Sequence, residues 1–149
     1  MACPFLTLPT CFAQPKRSRL SLCVLQGRIT AGHHLPVEVA GVYSAGLDVG
    51  PLVDLGCAAQ ATWVEMALVS NVNKEKLREL LDHSGRAYVV LQGEFYGPGL
   101  PDPNLPEAIK RTYRPGWGHL GGFKTKLVVH YIKSVRTAPP DRSKNPHQQ

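Results

Sequence analysis

Alternation of apolar and polar residues in five separate segments constrains this fold more than any other sequence feature. A repeat of two residues is the pattern of a β-strand that has one face on a core. The predicted strands lie in residues 35–46, 50–57, 61–70, 86–97 and 122–135. In the last of them the alternation predicts that Phe123, Thr125, Leu127, Val129 and Tyr131 share one face.

One strongly helical segment interrupts the strands. Between the third and fourth strands, Leu77, Leu80 and Leu81 have the spacing of a narrow apolar stripe, Asn73 is a suitable N-cap, and Gly85 ends the helix. Two shorter elements are also predicted. One is a helix or turn in residues 19–29, with Leu20, Cys23, Val24 and Gly27 on one face, and the other is a helical turn that begins near Pro106.

The order of three strands, one helix and two strands predicts a mainly β fold. It matches an OB-like five-stranded Greek-key barrel with its helix between strands 3 and 4 and a long loop between strands 4 and 5. Gly41 and Gly93 stand inside strands, where glycine indicates a bulge or a tight bend. We expect one barrel domain over residues 19–136, with disordered residues 137–149 after it.

The N-terminal segment and the cysteines leave the cellular compartment open. Residues 1–18 are predicted to be a flexible tail or the end of a clipped signal peptide, which slightly favours an exported or periplasmic protein over a cytoplasmic one. In an exported protein Cys23 and Cys57 would form a disulfide, whereas in the cytosol they would be buried thiols. The cysteine separations match no zinc spacing, so we predict neither a metal nor a cofactor. No window is apolar enough to predict a membrane span.

The charge distribution argues against a dedicated nucleic-acid domain. The chain has a net charge of +6, but residues 20–135 hold 11 Lys and Arg against 10 Asp and Glu, which leaves a net charge of +1. Most of the excess positive charge therefore lies in the tails, where basic residues are usually solvated. Residues 105–135 are an exception, with six basic residues against the single acid Glu107.

A binding surface is predicted at the end of the long loop. OB-folds that hold single strands combine basic residues with aromatic rings on which a ligand stacks, and both kinds of residue occur there. Trp63 and Phe95 lie within strands and are predicted to belong to the core. The candidate binding residues are Tyr113, Arg114, Trp117, His119, Lys124 and Lys126.

His119 stands between glycines and has three possible roles. It could donate a hydrogen bond to a backbone carbonyl and fasten the loop to the barrel, it could contact a ligand, or it could act in catalysis. A catalytic histidine needs an orienting partner, and Asp54 and Glu65 are the nearest candidates on neighbouring strands. We predict the structural role, and we predict no catalytic residue.

Several motifs resemble a group of uncharacterised bacterial proteins, often exported, that share an OB-like barrel. The similar segments span residues 21–135 and are "SLC", "VEVAGVY", "LVDLGC" followed by "TWVE", "VVLQGEFYGP" and "GWGHLGGFKTKLVV". The resemblance implies the barrel fold and brings no known activity.

The sequence therefore predicts a binding or interaction module without catalytic activity, whose partner is a protein or another oligomeric ligand. The first alternative is an OB-fold protein that binds single-stranded nucleic acid. The second is a hydrolase or metal-dependent enzyme centred on His119.

Overall fold

The computed structural model of the chain describes residues 19–44, 46–57, 60–100, 103–110, 115–118 and 121–141. The predicted N-terminal tail, residues 1–18, and most of the predicted C-terminal tail, residues 142–149, lie outside the described residues. The strands are β1 (Arg19–Leu20), β2 (His34–Ser44), β3 (Val49–Val53), β4 (Thr62–Glu65), β5 (Arg86–Tyr96) and β6 (Lys126–Thr137). The helices are α1 (Leu22–Arg28), α2 (Val72–Ser84) and α3 (Glu107–Lys110).

Five of these strands close a mixed β-barrel. Around the barrel the order is β2, β3, β4, β6, β5 and back to β2, with β4 and β6 parallel and every other pair antiparallel. The short β1 lies outside this ring and pairs in parallel with β2. Helix α2 stands between the third and fourth barrel strands, and the longest connection joins β5 to β6. The predicted mainly β barrel with one helix at this place is therefore confirmed.

The inward side chains of all five barrel strands form a single apolar core. Tyr43 is fully buried there, its hydroxyl donates a hydrogen bond to the carbonyl of Gly46, and burial raises the pKa of the phenol. Phe95 belongs to this core, as the sequence predicted. Further members from the strands include Val37, Val39, Leu52, Val64, Leu91, Leu127, Val129 and Ile132.

Helix α1 adds its own apolar face to the core. Leu22 and Leu25 are buried, while Val24 is 39% exposed. The predicted face that joined Leu20, Cys23, Val24 and Gly27 is therefore wrong. The helix begins later than that pattern assumed, because Ser21 caps it by accepting a hydrogen bond from the amide of Cys23.

Helix α2 begins two residues earlier than predicted. Its N-cap is Asn71, whose side chain accepts a hydrogen bond from the amide of Lys74. Asn73 instead lies within the first turn and donates to the carbonyls of Ile132 and Lys133, so it fastens the helix to β6. Gly85 ends the helix in the left-handed conformation at φ 69°, as predicted.

Two irregularities in β6 change which residues face the core. The register between β5 and β6 shifts at Gln92/Gly93 and again at Val90/Leu91. Each shift adds one residue to β6. The first reverses the facing of the side chains that follow Val129, and the second, after Ile132, restores it, so that Val135 is buried again. Tyr131 is 49% exposed and Ile132 is buried, so the prediction that Tyr131 shares a face with Leu127 and Val129 is wrong. An alternation rule cannot anticipate a bulge, because one extra residue inverts every later position.

Candidate ligand-binding face

A row of four side chains crosses the outside of the barrel wall at one end. His34 on β2 stands opposite Tyr96 on β5, Tyr96 opposite Lys126 on β6, and Lys126 opposite Trp63 on β4. All four point outward, because their strand neighbours, among them the fully buried Phe95, point inward. The His34 and Tyr96 rings meet edge to face, with centroids 5.1 Å apart.

The end of the long loop folds over this row. Trp117 and Phe123 pair as an antiparallel bridge, with each amide donating to the other residue's carbonyl. The Phe123 ring lies 5.2 Å from the Trp63 ring. Gly118, at φ 70°, packs so closely on Trp63 that a Cβ atom would stand 2.7 Å from that ring. The loop therefore needs glycine here both for its backbone conformation and for contact with the barrel.

Two contacts hold the Trp117 side chain in place. Its indole N–H donates a 2.9 Å hydrogen bond to the carbonyl of Gly97, at the end of β5. Its ring stands 6.0 Å from the Tyr96 ring. We call the surface formed by Trp63, Tyr96, Trp117, Phe123 and Lys126 the aromatic face.

Lys126 lies at the centre of the aromatic face and is largely enclosed. Its ammonium stands 4.1 Å from the centre of the Trp117 ring and 5.2 Å from that of Tyr96. The Glu65 carboxylate is 3.5 Å from the same ammonium, and the lysine side chain is only 16% exposed. Two rings and one carboxylate thus make a cage in which the positive charge is already paired.

A second outward row borders the aromatic face. Glu65 on β4 and Glu94 on β5 both stand opposite Val128 on β6, so the two carboxylates flank one apolar residue. Val49 on β3 is the cross-strand neighbour of Glu65 and is 43% exposed. Glu65 pairs with Lys126, and no ion pair joins Glu94 to another described residue.

The structure brings together two of the residues predicted for a binding surface. Trp117 and Lys126 are in direct contact, and Lys124, which precedes Lys126 by two positions, is exposed. The other three, Tyr113, Arg114 and His119, lie outside the described residues.

Sequence reasoning missed the contribution of the strands to this surface. Trp63, predicted for the core, is an outward residue that Phe123 covers. Its outward position follows from its neighbours Thr62 and Val64, which are both fully buried. Tyr96 was also missed, and Glu65 was predicted only as a partner of His119, because the nearness of both residues to Lys126 depends on the pairing of distant strands. A usable signal was the polar or aromatic residue at or next to one end of four strands, namely His34, Trp63, Tyr96 and Lys126.

A second charged cluster lies elsewhere on the barrel wall and is internally satisfied. The Glu38 side chain is 5% exposed, and its Oε2 accepts hydrogen bonds of 2.8 Å from both Lys133 and Gln92. Arg19 is 3.6 Å from the other carboxylate oxygen. The hydrogen bond from Lys133, followed by that from Gln92, holds the pKa of Glu38 below its usual value. This arrangement fastens β1, β2, β5 and β6 together.

Cys23 and Cys57 form a disulfide that joins α1 to the segment between β3 and β4. Asp54 supports the same junction. Its Oδ2 accepts from the Ser21 hydroxyl and from the Leu22 amide, each at 2.9 Å, and its Oδ1 accepts from the Gly56 amide. Its carboxylate therefore stabilises the first turn of α1.

Neither of the acids predicted as partners of His119 stands free. Asp54 is engaged at the start of α1 and Glu65 pairs with Lys126. Within the described part of the chain, no three His, Cys, Asp or Glu residues are grouped so that they could hold a metal ion. No helix among the described residues is long and apolar enough to cross a membrane.

Comparison of the chain with protein-family models, with curated proteins and with solved structures found no match. The aromatic face is therefore interpreted from its own geometry.

Proposed function

We propose that the protein is a non-catalytic binding module that holds a segment of a partner chain on the aromatic face. The observation that carries this proposal is the row Trp63, Lys126, Tyr96 and His34 on the outside of the barrel wall, over which Trp117 and Phe123 fold. Aromatic residues are enriched at binding surfaces, because a rigid ring buries a large area at a low cost in conformational entropy.

Exposed apolar side chains on β3 extend this surface. Val49 and Val53 are 43% and 38% exposed, and the half-buried Pro51 between them is the cross-strand neighbour of Trp63. Together with the rings they provide an apolar strip that crosses several strands. A strip of this shape suits an extended ligand.

The order of the strands and the place of α2 support assignment of the barrel to the OB-fold. In that fold the face of the second and third strands and the loop between the last two strands hold oligomeric ligands. Here the second and third barrel strands are β3 and β4, which contribute Val49, Pro51 and Trp63 to the surface. This support is an argument from fold alone. Membership of the bacterial group that the motifs resemble, and export from the cytoplasm, stay predictions. The Cys23–Cys57 disulfide favours an oxidising compartment.

The two alternative functions have weaker support. Of the predicted basic residues that the structure describes, Lys126 is paired with Glu65 and only Lys124 is exposed, whereas a nucleic acid needs accessible cations for its phosphates. The enzyme hypothesis depends on His119, which lies outside the described residues, and both of its predicted partners are engaged elsewhere.

Selection from a random peptide display library tests the proposal. Peptides enriched on the wild-type protein are expected to shift the backbone amide NMR signals of Trp63, Glu65, Lys126 and Val128. Trp117→Ala is expected to weaken their binding at least about tenfold, since a central aromatic residue is often a main source of affinity.

Tyr131→Ala is the matched control, because Tyr131 is an exposed ring on β6 outside the aromatic face. It should bind the selected peptides as the wild type does. If Trp117→Ala fails to fold, the peptide-induced amide shifts of the wild-type protein test whether the peptides bind the aromatic face. Failure to enrich any peptide, or a map centred on α2, would refute the proposal.

A further inference from the structure

We infer that the partner segment held by the aromatic face carries lysine or arginine side chains. This inference rests on the proposed function and adds the chemistry of the ligand to it. The aromatic face already contains one example of the recognition, because the Lys126 ammonium lies against the Trp117 and Tyr96 rings and beside the Glu65 carboxylate. An aromatic ring attracts a cation through the negative charge over its face, and a nearby carboxylate strengthens the attraction.

Lys126, the cation among the five residues of the aromatic face, is poorly accessible to an anionic ligand. Lys126 is paired with Glu65 and its side chain is 16% exposed, whereas that of Glu65 is 40% exposed. An incoming phosphate or carboxylate would meet the more accessible acid before it met the lysine. An incoming ammonium or guanidinium would instead meet a carboxylate and ring surfaces.

Glu94 adds a second carboxylate on the same side. It is half-buried, has no ion pair with another described residue, and stands opposite Val128 as Glu65 does. The two acids on either side of Val128 present negative charge next to the rings. A segment that crosses the strands could set one basic side chain near each acid and its apolar carbons on Val49 and Val128.

The overall charge of +6 does not oppose this arrangement at physiological salt. Charges separated by more than about 8 Å are largely screened there. A docked segment therefore responds mainly to groups within and beside the aromatic face. Among the described residues, Lys124 is the exposed cation adjacent to it in the chain.

Binding of short labelled peptides by fluorescence anisotropy tests the inference on the full chain. The probes alternate serine with lysine, glutamine or glutamate, and a thymidine homopolymer stands for nucleic acid. The lysine probe is expected to bind about tenfold more tightly than the glutamine probe, because cation–aromatic and ion-pair contacts each add modestly.

Three single variants separate the effect of local charge from that of total charge. Glu94→Gln is expected to weaken binding of the lysine probe about threefold to tenfold. Its matched control, Glu79→Gln, removes an exposed acid on α2 and should leave the affinity unchanged. Lys124→Gln is expected to strengthen binding of the lysine probe and to weaken any binding of the homopolymer.

Tighter binding of the glutamate probe or of the homopolymer than of the lysine probe would overturn the inference. So would equal effects of Glu94→Gln and Glu79→Gln. If displayed peptides map to the aromatic face without enrichment in basic residues, the proposed function stands and only the inference fails. If no displayed peptide binds there, both fail.

Discussion

Loss of the Cys23–Cys57 disulfide is expected to lower the free energy of unfolding by about 4 kcal/mol. The bridge joins residues separated by 34 positions, and closing a loop of that length removes ~13 cal/mol/K from the entropy of the unfolded chain, or ~3.8 kcal/mol at 25 °C. The folded state should change little. Leu22 and Leu25 stay buried, and Asp54 still holds the start of α1 through the Leu22 amide.

Urea unfolding followed by tryptophan fluorescence measures this loss for the double variant Cys23→Ser/Cys57→Ser. The matched control is Cys3→Ser/Cys11→Ser, which replaces the other two cysteines, retains the bridge and should unfold as the wild type does both with and without dithiothreitol. A loss below about 1 kcal/mol would refute the loop-entropy argument, because the expected term is several times larger. An equal loss in the control variant would refute the assignment of the stabilisation to this bridge.

Three further predictions concern residues that hold the barrel together. Because the pKa of Glu38 is lowered in the folded state, its contribution is present above the pKa of the unfolded chain and is lost as the pH falls through the folded pKa. The unfolding free energy of Glu38→Gln should therefore be about 1 to 3 kcal/mol lower than that of the wild type at pH 7. This difference should shrink toward pH 3. A difference independent of pH would contradict the stabilising role of the Glu38 carboxylate. Asn71→Ala removes the cap of α2 and the hydrogen bond to the Ile132 carbonyl, and it should cost about 1 to 2 kcal/mol. An unchanged urea midpoint would count against both contacts. Gly93→Ala would drive a Cβ atom into the carbonyl of Val128 and should cost about 3 kcal/mol or prevent folding, so wild-type stability by calorimetry would rule out that close approach.

The barrel architecture was predictable because its five strands and α2 each carry a local signal. Alternation marks the barrel strands, a leucine stripe marks α2, and Gly85 marks where that helix ends. Such signals locate an element and leave its partners undetermined. The cap at Asn71 illustrates the limit, since Asn71 and Asn73 are both acceptable caps locally. The side chains of both asparagines also donate to the carbonyl of Ile132 in β6, about 60 positions away in the chain, so the choice of Asn71 depends on contacts that no local signal contains.

The same limit applies more strongly to the candidate site. The sequence predicts Trp117 and Lys126 as binding residues because aromatic and basic residues occur together near the end of the long loop, and the structure brings these two into contact. However, the chemical meaning of Lys126 depends on Glu65, which lies 61 positions earlier in the chain and approaches only because β4 and β6 pair in parallel. As a residue in a sequence Lys126 suggests an anionic ligand. As an enclosed, paired cation it instead shows how rings and a carboxylate can hold an ammonium group. Whether a surface offers a ligand positive or negative charge thus depends on which strands pair and which side chains they enclose. A count of basic residues along the chain cannot predict it.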